Sequence, residues 1–324
     1  VISFYTETSV LSYTFNGSTD DDTLIIDDSA GGGLPTVQDV VLGGVTADDT
    51  DNQFVSGQAG VIFQAGDGND SITLALSQAG TSLVYGMGEG DGQTGADGTG
   101  GGNNSAINEA EGELLASNAT AGEDLNIYFT GLEPITVTGT PGGTLTVIGD
   151  VDDNTLTVSD GAGAFTTVSG SGPGGSFESI DFAADAFDRL EVFGHDGADT
   201  IDVLGFDADE DSLTTILVDG DSRTDSDSSS DLLILRNTSS LPAATTLTMY
   251  GGLGDDIFDL DEDTAGIRSG TVDNIGVQVF VSGAGAPGEA TSSTATTTSD
   301  ETGGDDILRI DDFADADGDT VAVT

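Results

Sequence analysis

The chain has 324 residues, and its 59 Asp and Glu residues against five Arg and no Lys give a formal net charge of -54. This charge excludes nucleic acids and anionic membranes as partners, because both require a cationic surface on the protein. The absence of Cys excludes disulfides and thiolate metal sites, and no apolar run approaches the roughly 18 residues needed to insert into a membrane.

Short runs of β-forming residues follow one another along the chain, and apolar residues alternate with polar ones in many of them, which predicts β-strands. One set of runs ends in Gly: SYTFNG at 12–17, VIFQAG at 61–66, SLVYG at 82–86, LTVIG at 145–149, LEVFG at 190–194, ILVDG at 216–220, LTMYG at 247–251 and VFVSG at 279–283. A second set begins with Asp or Asn: DTLIIDD at 22–28, DSITLAL at 70–76, NTLTVSD at 154–160, DTIDVLG at 199–205, DLLILRN at 231–237, DIFDLDE at 256–262 and DILRIDD at 306–312. The predicted repeating unit is a strand, a Gly/Asp turn and a second strand.

Glycines that end the later runs recur at a nearly regular spacing. Gly194, Gly220, Gly251 and Gly283 are separated by 26, 31 and 32 residues, a period typical of stacked-coil architectures. Helical periodicity is nearly absent, and the best helical patterns are the short segments 108–117 and 183–190. The sequence therefore predicts an all-β fold, a parallel β-solenoid or β-helix with irregular coils of roughly 25–32 residues.

The predicted solenoid is a single elongated domain over residues 1–324, interrupted by two long insertions. Segments 86–113 and 284–303 are rich in Gly, Ser and Thr, which predicts loops that leave a coil at a turn. The Gly/Pro-containing stretch near 140–145 is the one place where composition suggests a subdivision. The chain begins with Val and has no signal-peptide pattern, so we expect it to be a segment of a larger protein.

Three turns carry a pattern of glycines and acids. The segment GGLGDDIFD at 251–259 fits the nonapeptide G-G-x-G-x-D-x-U-x in full, with Asp256 at the acidic position and Phe258 at the apolar one. The segment AGDGNDSIT at 65–73 matches except at its first residue, and GHDGADTID at 194–202 keeps two glycines and Asp199. These turns resemble the calcium β-roll of the repeats-in-toxin (RTX) family, and the resemblance implies several bound Ca²⁺ ions.

Physical chemistry favours the same ion. Glycines permit positive φ, which turns backbone carbonyls inward, and an Asp carboxylate then completes the six to eight oxygen ligands that Ca²⁺ prefers. The acidic segment 219–231 and the segment DADGDT at 315–320, similar to the start of an EF-hand loop, offer further ligands. The predicted metal ligands are Asp20, Asp22, Asp67, Asp70, Asp150, Asp152, Asp196, Asp199, Asp219, Asp221, Asp225, Asp227, Asp231, Gly252, Gly254, Asp256, Asp306, Asp315, Asp317 and Asp319. The alternative is that these are solvated acidic turns of a protein adapted to high salt.

The family's nonapeptides follow one another without pause, whereas here each lies within a longer coil. In composition the chain also resembles the Asp/Gly-rich arrays of very large bacterial surface proteins. We therefore expect an extracellular or cell-surface structural protein, a subunit or segment of a fibre, sheath, surface layer or adhesin stalk. The strand-like ends at 1–6 and 320–324 predict end-to-end assembly into a homo-oligomer or polymer.

Two other function classes remain open from the sequence. One is an adhesin module that binds a glycan or a cell surface through the two insertions. The other is a polysaccharide-degrading β-helix enzyme, although the sequence contains no specific catalytic constellation and we expect no catalytic residue. His195, the single histidine, is predicted to be an exposed turn residue, and the arginines are predicted to pair with nearby acids, Arg309 with those at 306, 311 and 312.

Overall fold

The computed structural model describes residues 12–16, 21, 23–27, 60–64, 70–87, 111–118, 123–130, 134–150, 152–173, 175–221, 229–260, 274–283 and 306–310. This part of the chain is all-β and contains no helix, so it also offers no helix suited to crossing a membrane. Its strands are β1 Ser12–Asn16, β2 Thr23–Asp27, β3 Gly60–Gln64, β4 Ser71–Leu76, β5 Thr81–Met87, β6 Glu111–Asn118, β7 Glu123–Thr130, β8 Ile135–Gly139, β9 Gly142–Ile148, β10 Thr155–Asp160, β11 Phe165–Gly172, β12 Gly175–Ser176, β13 Ile180–Ala183, β14 Arg189–Phe193, β15 Thr200–Val203, β16 Thr215–Asp219, β17 Leu232–Leu235, β18 Thr246–Tyr250, β19 Ile257–Leu260, β20 Gln278–Ser282 and β21 Ile307–Ile310.

The strands form two sheets that are mostly parallel. The first sheet has the order β1-β3-β7-β6-β5-β9-β14-β16-β18-β20, and the second has the order β2-β4-β8-β13-β11-β10-β15-β17-β19-β21, with β12 paired to β11. Along these two paths, β6 and β11 are the described strands that pair antiparallel with both neighbours. Every other described pair on the paths is parallel, so each sheet contains one reversed strand.

From β14 onward the chain alternates between the two sheets, one strand in each. Residues Phe193, Asp219, Tyr250 and Ser282 are register partners on consecutive first-sheet strands. Their spacing of 26, 31 and 32 residues equals that of the glycines that follow them. The period predicted from the sequence is therefore confirmed as the length of chain between paired strands.

The predicted strand runs are confirmed, because each of them overlaps a strand of the structure. Both helical patterns are wrong: residues 111–117 lie in β6, and 183–190 join the end of β13 to the start of β14 through a turn. The edges of the predicted insertion 86–113 lie in β5 and β6, which pair with each other, and 284–303 is outside the described residues. Residues 142–145 lie within β9.

The core lies between the two sheets, where inward residues stack in columns from strand to strand. On the first sheet one such column is Leu145, Leu190, Ile216 and Leu247, and on the second sheet one is Leu156, Ile201, Leu233 and Phe258. All eight side chains are buried in one cluster. Because fully burying an aliphatic or aromatic side chain contributes about 1.5–3 kcal/mol, these columns hold the sheets together and fix the register of the turns.

A polar contact crosses this core. The hydroxyl of Tyr85, on β5, donates a hydrogen bond of 2.7 Å to the backbone oxygen of Glu178, which precedes β13 in the other sheet. Tyr85 is fully buried, and this burial, followed by the negative charge of Glu178, raises its pKa well above the ordinary value. The phenol therefore stays protonated and keeps donating, which satisfies a backbone oxygen inside the core.

Candidate functional site at the Asx ladder

The turn that leads from a first-sheet strand to the next second-sheet strand carries the glycines and acids of the sequence pattern. We call this turn the corner. Each corner opens with a glycine that extends the parallel pairing by one residue: the amide of Gly194 donates to the oxygen of Asp219 at 2.9 Å, and the amide of Gly220 donates to that of Tyr250 at 3.0 Å. The corners of successive units consequently lie directly beside one another.

Each corner from β9 onward closes with an Asp or Asn immediately before the second-sheet strand. These residues, which we call the Asx ladder, are Asn154, Asp199, Asp231, Asp256 and Asp306. The backbone amide of each donates to the Oδ1 atom of the next residue in that order, at 2.7, 2.8, 3.0 and 3.1 Å. The first four are buried and Asp306 is half-buried. The carboxylates therefore link consecutive units by hydrogen bonds that run beside the backbone pairing.

The glycines that open the corners leave room for these carboxylates. A Cβ atom added to Gly194, Gly220 or Gly251 would clash with the Oδ2 atom of the ladder aspartate of the same corner. None of these three glycines has positive φ, so the close approach of the carboxylate, and not the backbone conformation, requires glycine there. Gly252 and Gly254 do have positive φ, at 91° and 149°, which is the freedom expected of a ligand-binding turn.

Replacing Gly251 by Ala is expected to lower the free energy of unfolding by about 1–3 kcal/mol, as overpacking does in a filled interior. The methyl group would push the Asp256 carboxylate off the position where it accepts from the amide of Asp231. Gly276→Ala is the matched control, because its nearest neighbours would be 3.7 and 3.8 Å away. Urea unfolding of both variants measures the difference, and equal losses would show that the corner is not tightly packed.

The ladder concentrates negative charge. Adjacent strands are about 4.8 Å apart, and two carboxylates at that distance repel by roughly 3 kcal/mol at an effective dielectric constant of about 20. Each donated amide hydrogen offsets part of this cost, by about 1.5–3 kcal/mol for a charged acceptor. Asp219 and Asp221, beside Gly220, add two more buried carboxylates, and the amide of Leu253 donates to Oδ2 of Asp221 at 3.0 Å.

The structure places the predicted metal ligands in three groups. Buried at corners or at the strand end beside one are Asp70, Asp150, Asp199, Asp219, Asp221, Asp231 and Asp256. The corner closed by Asp256 also contains Gly252, which is buried, and Gly254, which is half-buried. Asp152 is exposed, and Asp196 and Asp306 are half-buried. Asp20, Asp22, Asp67, Asp225, Asp227, Asp315, Asp317 and Asp319 lie outside the described residues. Among the residues that the structure describes, no three acidic or histidine side chains gather in the arrangement that holds a metal ion.

The prediction for His195 is wrong. The residue is 2% exposed and has a positive φ of 86°. Its Nδ1 atom accepts a hydrogen bond of 2.7 Å from the amide of Asp196. His195 follows Gly194 directly, and the positions that follow Gly149 and Gly220 are the buried Asp150 and Asp221. A side chain at this position is covered because the corners pack against one another, which the sequence of one turn does not show.

Sequence reasoning missed a second acidic turn, between β15 and β16. Oε1 of Glu210 accepts hydrogen bonds from the amides of Ser212 and Leu213 at 3.2 and 3.3 Å and from the Ser212 hydroxyl at 3.0 Å. Burial raises the pKa of Glu210, while these hydrogen bonds oppose the shift. The hydrogen bond and charge of the Asp185 carboxyl raise the pKa of Asp211. The segment 207–211 lacks glycine, so only its acid content could have drawn attention to it.

The arginines within the described residues pair with acids, as predicted. Arg236 makes a bidentate contact with Asp202 on the neighbouring strand, with distances of 2.8 to 3.1 Å. Arg189 donates to Glu191 on its own strand. Arg309 contacts Asp259, its register partner, at 4.0 Å. This partner across the sheet is not among the acids predicted for Arg309, of which those at 311 and 312 lie outside the described residues.

Comparisons with protein-family models, with curated proteins and with solved structures found no match to this chain.

Proposed function

We propose that the chain is a calcium-stabilised structural protein: a parallel β-solenoid in which Ca²⁺ binds at the corners. Located outside the cell or at its surface, it forms part of a fibre, sheath, surface layer or adhesin stalk. The proposal rests on the RTX-like nonapeptide pattern of the sequence and on one structural observation, the column of buried aspartates at successive corners. Ca²⁺ is the cofactor whose ligand preferences, carboxylate and carbonyl oxygens, match the composition of these turns.

The buried column favours a cation for an energetic reason. Asp199, Asp231 and Asp256 follow one another at the spacing of adjacent strands, and all three are buried. Removing carboxylates from water and stacking them costs several kcal/mol unless positive charge accompanies them. An ion that binds the folded corners and not the open chain stabilises the fold in proportion to the logarithm of its concentration. The residues that would hold it are the buried corner acids with the backbone oxygens beside them.

End-to-end assembly is the second part of the proposal. Strands β20 and β21 each end the path of a sheet, and Phe280, Ile307 and Leu308 on them are about half exposed. Leu308 continues the inward column of Leu233 and Phe258, so an additional strand pair placed there would bury it. The strands β1 and β2 at the opposite end are parallel to their neighbours, and a copy stacked head to tail would extend both sheets.

The deciding experiment is far-ultraviolet circular dichroism and thermal unfolding with calcium or chelator, each at low and high sodium chloride. We expect β-structure and a high midpoint in calcium at low salt, and a large loss of both in chelator at low salt. High sodium chloride restores only part of the loss, because monovalent ions screen charge without bridging two carboxylates. If chelator leaves the thermal unfolding midpoint unchanged while sodium chloride raises it, the calcium proposal is wrong and the acidic surface reflects adaptation to high salt. Light scattering in millimolar calcium tests assembly, and persistently monomeric particles would refute it.

A further inference from the structure

One member of the Asx ladder is an amide. The Nδ2 atom of Asn154 donates to three oxygens of its own corner: the backbone oxygen of Asp150 at 3.1 Å, Oδ1 of Asp150 at 2.9 Å and the backbone oxygen of Asp152 at 2.7 Å. Asn154 is buried, and Oδ1 of Asp150 also accepts from the amide of Asp152 at 2.9 Å. A partly positive nitrogen thus lies among one carboxylate and two carbonyl oxygens.

This donor set has the chemistry of a cation site. Carboxylate and backbone oxygens are the ligands that hard cations take in proteins, and here they surround an N–H₂ group instead. The next three corners are closed by Asp199, Asp231 and Asp256, and an aspartate has no N–H₂ group to donate. An aspartate at position 154 would face the Asp150 carboxylate across the same three oxygens, and two like charges there would need a cation between them.

We propose that the Asn154 amide takes the place of the ion in the corner 149–154, which makes this corner independent of calcium. The inference deepens the proposed function and rests on it for its second half: the corners closed by Asp199, Asp231 and Asp256 need calcium, whereas the corner closed by Asn154 does not. Withdrawal of calcium therefore releases β15, β17 and β19 and leaves β10 paired with β11. The corner 149–154 then serves as the cation-free base on which the calcium-bound units reassemble.

Hydrogen exchange followed by mass spectrometry tests the wild-type chain with calcium and with chelator. We expect peptides covering β10 to keep their protection in chelator, while peptides covering β15, β17 and β19 exchange at least about tenfold faster, the signature of local opening. Equal loss of protection in β10 and β17 would overturn the independence of the corner.

Asn154→Asp tests the amide itself, with Asn237→Asp as a matched control. The Asn237 side chain accepts from the amide of Ser239 at 2.9 Å and from its hydroxyl at 2.8 Å, so the same charge change falls on a turn where no amide donation is lost. We expect Asn154→Asp to lose β10 protection in chelator, to regain it in calcium and to bind one further Ca²⁺ per chain by equilibrium dialysis. Asn237→Asp should bind no further ion.

The two proposals fail separately. If the wild-type chain binds no calcium but Asn154→Asp binds one ion and is rescued by it, the proposed function is wrong and the assignment of the Asn154 amide stands. If the wild-type chain binds calcium and Asn154→Asp binds no more of it and is not rescued, the amide does not replace an ion and the inference is wrong.

Discussion

Asp231→Ala is expected to lower the free energy of unfolding in chelator by about 1–3 kcal/mol, whereas Asp231→Asn leaves it unchanged or raises it. The Ala variant removes the Oδ1 acceptor of the Asp199 amide, a hydrogen bond of 2.8 Å between two buried residues. The Asn variant keeps an acceptor of the same size and removes one charge from the stack. The native Asn154 shows that an amide side chain can be buried in this column.

Calcium reverses the relation between the Asn variant and the wild-type chain. If Asp231 is an ion ligand, both variants lose part of the stabilisation that calcium gives the wild-type chain, because neither offers a second carboxylate oxygen. Asp231→Asn should then equal or exceed the wild-type chain in chelator and be less stable than it in calcium. Chemical unfolding of the three proteins under both conditions measures this. An Asn variant that responds to calcium as the wild-type chain does would remove Asp231 from the ligand set.

The sequence predicted the repeating part of the fold because its signals are local. The alternation in runs such as Leu190–Val192 and Ile201–Val203 marks one buried face, and the glycine after each run marks the corner. The reversed strands β6 and β11 were missed for a physical reason. A strand's direction depends on which strand it pairs with, and the period of two is the same in parallel and antiparallel pairs. The available signal was the connection, because only four residues join β6 to β7 and β10 to β11, a length typical of antiparallel hairpins.

The corner acids show that a local sequence pattern also does not reveal contacts between distant parts of the chain. Asp199, Asp231 and Asp256 were singled out from the pattern of a single turn, and in the structure all three are buried. Their hydrogen bonds, however, join residues 25 to 50 positions apart. No single turn shows that the Asp of one unit accepts from the backbone of another. The glycines at the start of the corners acquire a different explanation by the same route, because Gly220 and Gly251 make room for a carboxylate and have no positive φ that would require glycine.

Hydrogen bonding and cation binding, the two explanations of the Gly/Asp pattern, start from the same geometry. A carboxylate that lies against a glycine and accepts a backbone amide with Oδ1 directs its other oxygen into the same corner. Hydrogen bonding alone needs only the acceptor, which Asn would supply without charge. Three of the four buried ladder positions nevertheless carry Asp. The excess charge is therefore what a purely structural role leaves unexplained, and the cation proposed above would account for it.

Leu233→Ala and Leu308→Ala are expected to have very different effects, although both residues belong to the same inward column. Leu233 is fully buried, and its truncation should lower the free energy of unfolding by about 2–5 kcal/mol, because it removes burial and leaves a cavity. Leu308 is 42% exposed at the end of the column, so its truncation should cost the dilute protein far less. Thermal unfolding at low protein concentration gives both values.

Assembly would increase the cost of truncating Leu308 and leave the cost of truncating Leu233 unchanged. A copy stacked on β20 and β21 would cover the end of the column, and the Leu308 side chain would then gain the burial that Leu233 already has. Leu308→Ala should therefore weaken assembly in calcium about tenfold or more, since 1.4 kcal/mol corresponds to a factor of ten, while the protomer keeps its β-structure. Sedimentation velocity over a range of concentrations measures the association. Assembly that Leu308→Ala leaves unchanged would place the interface away from this edge, and the head-to-tail arrangement would be wrong.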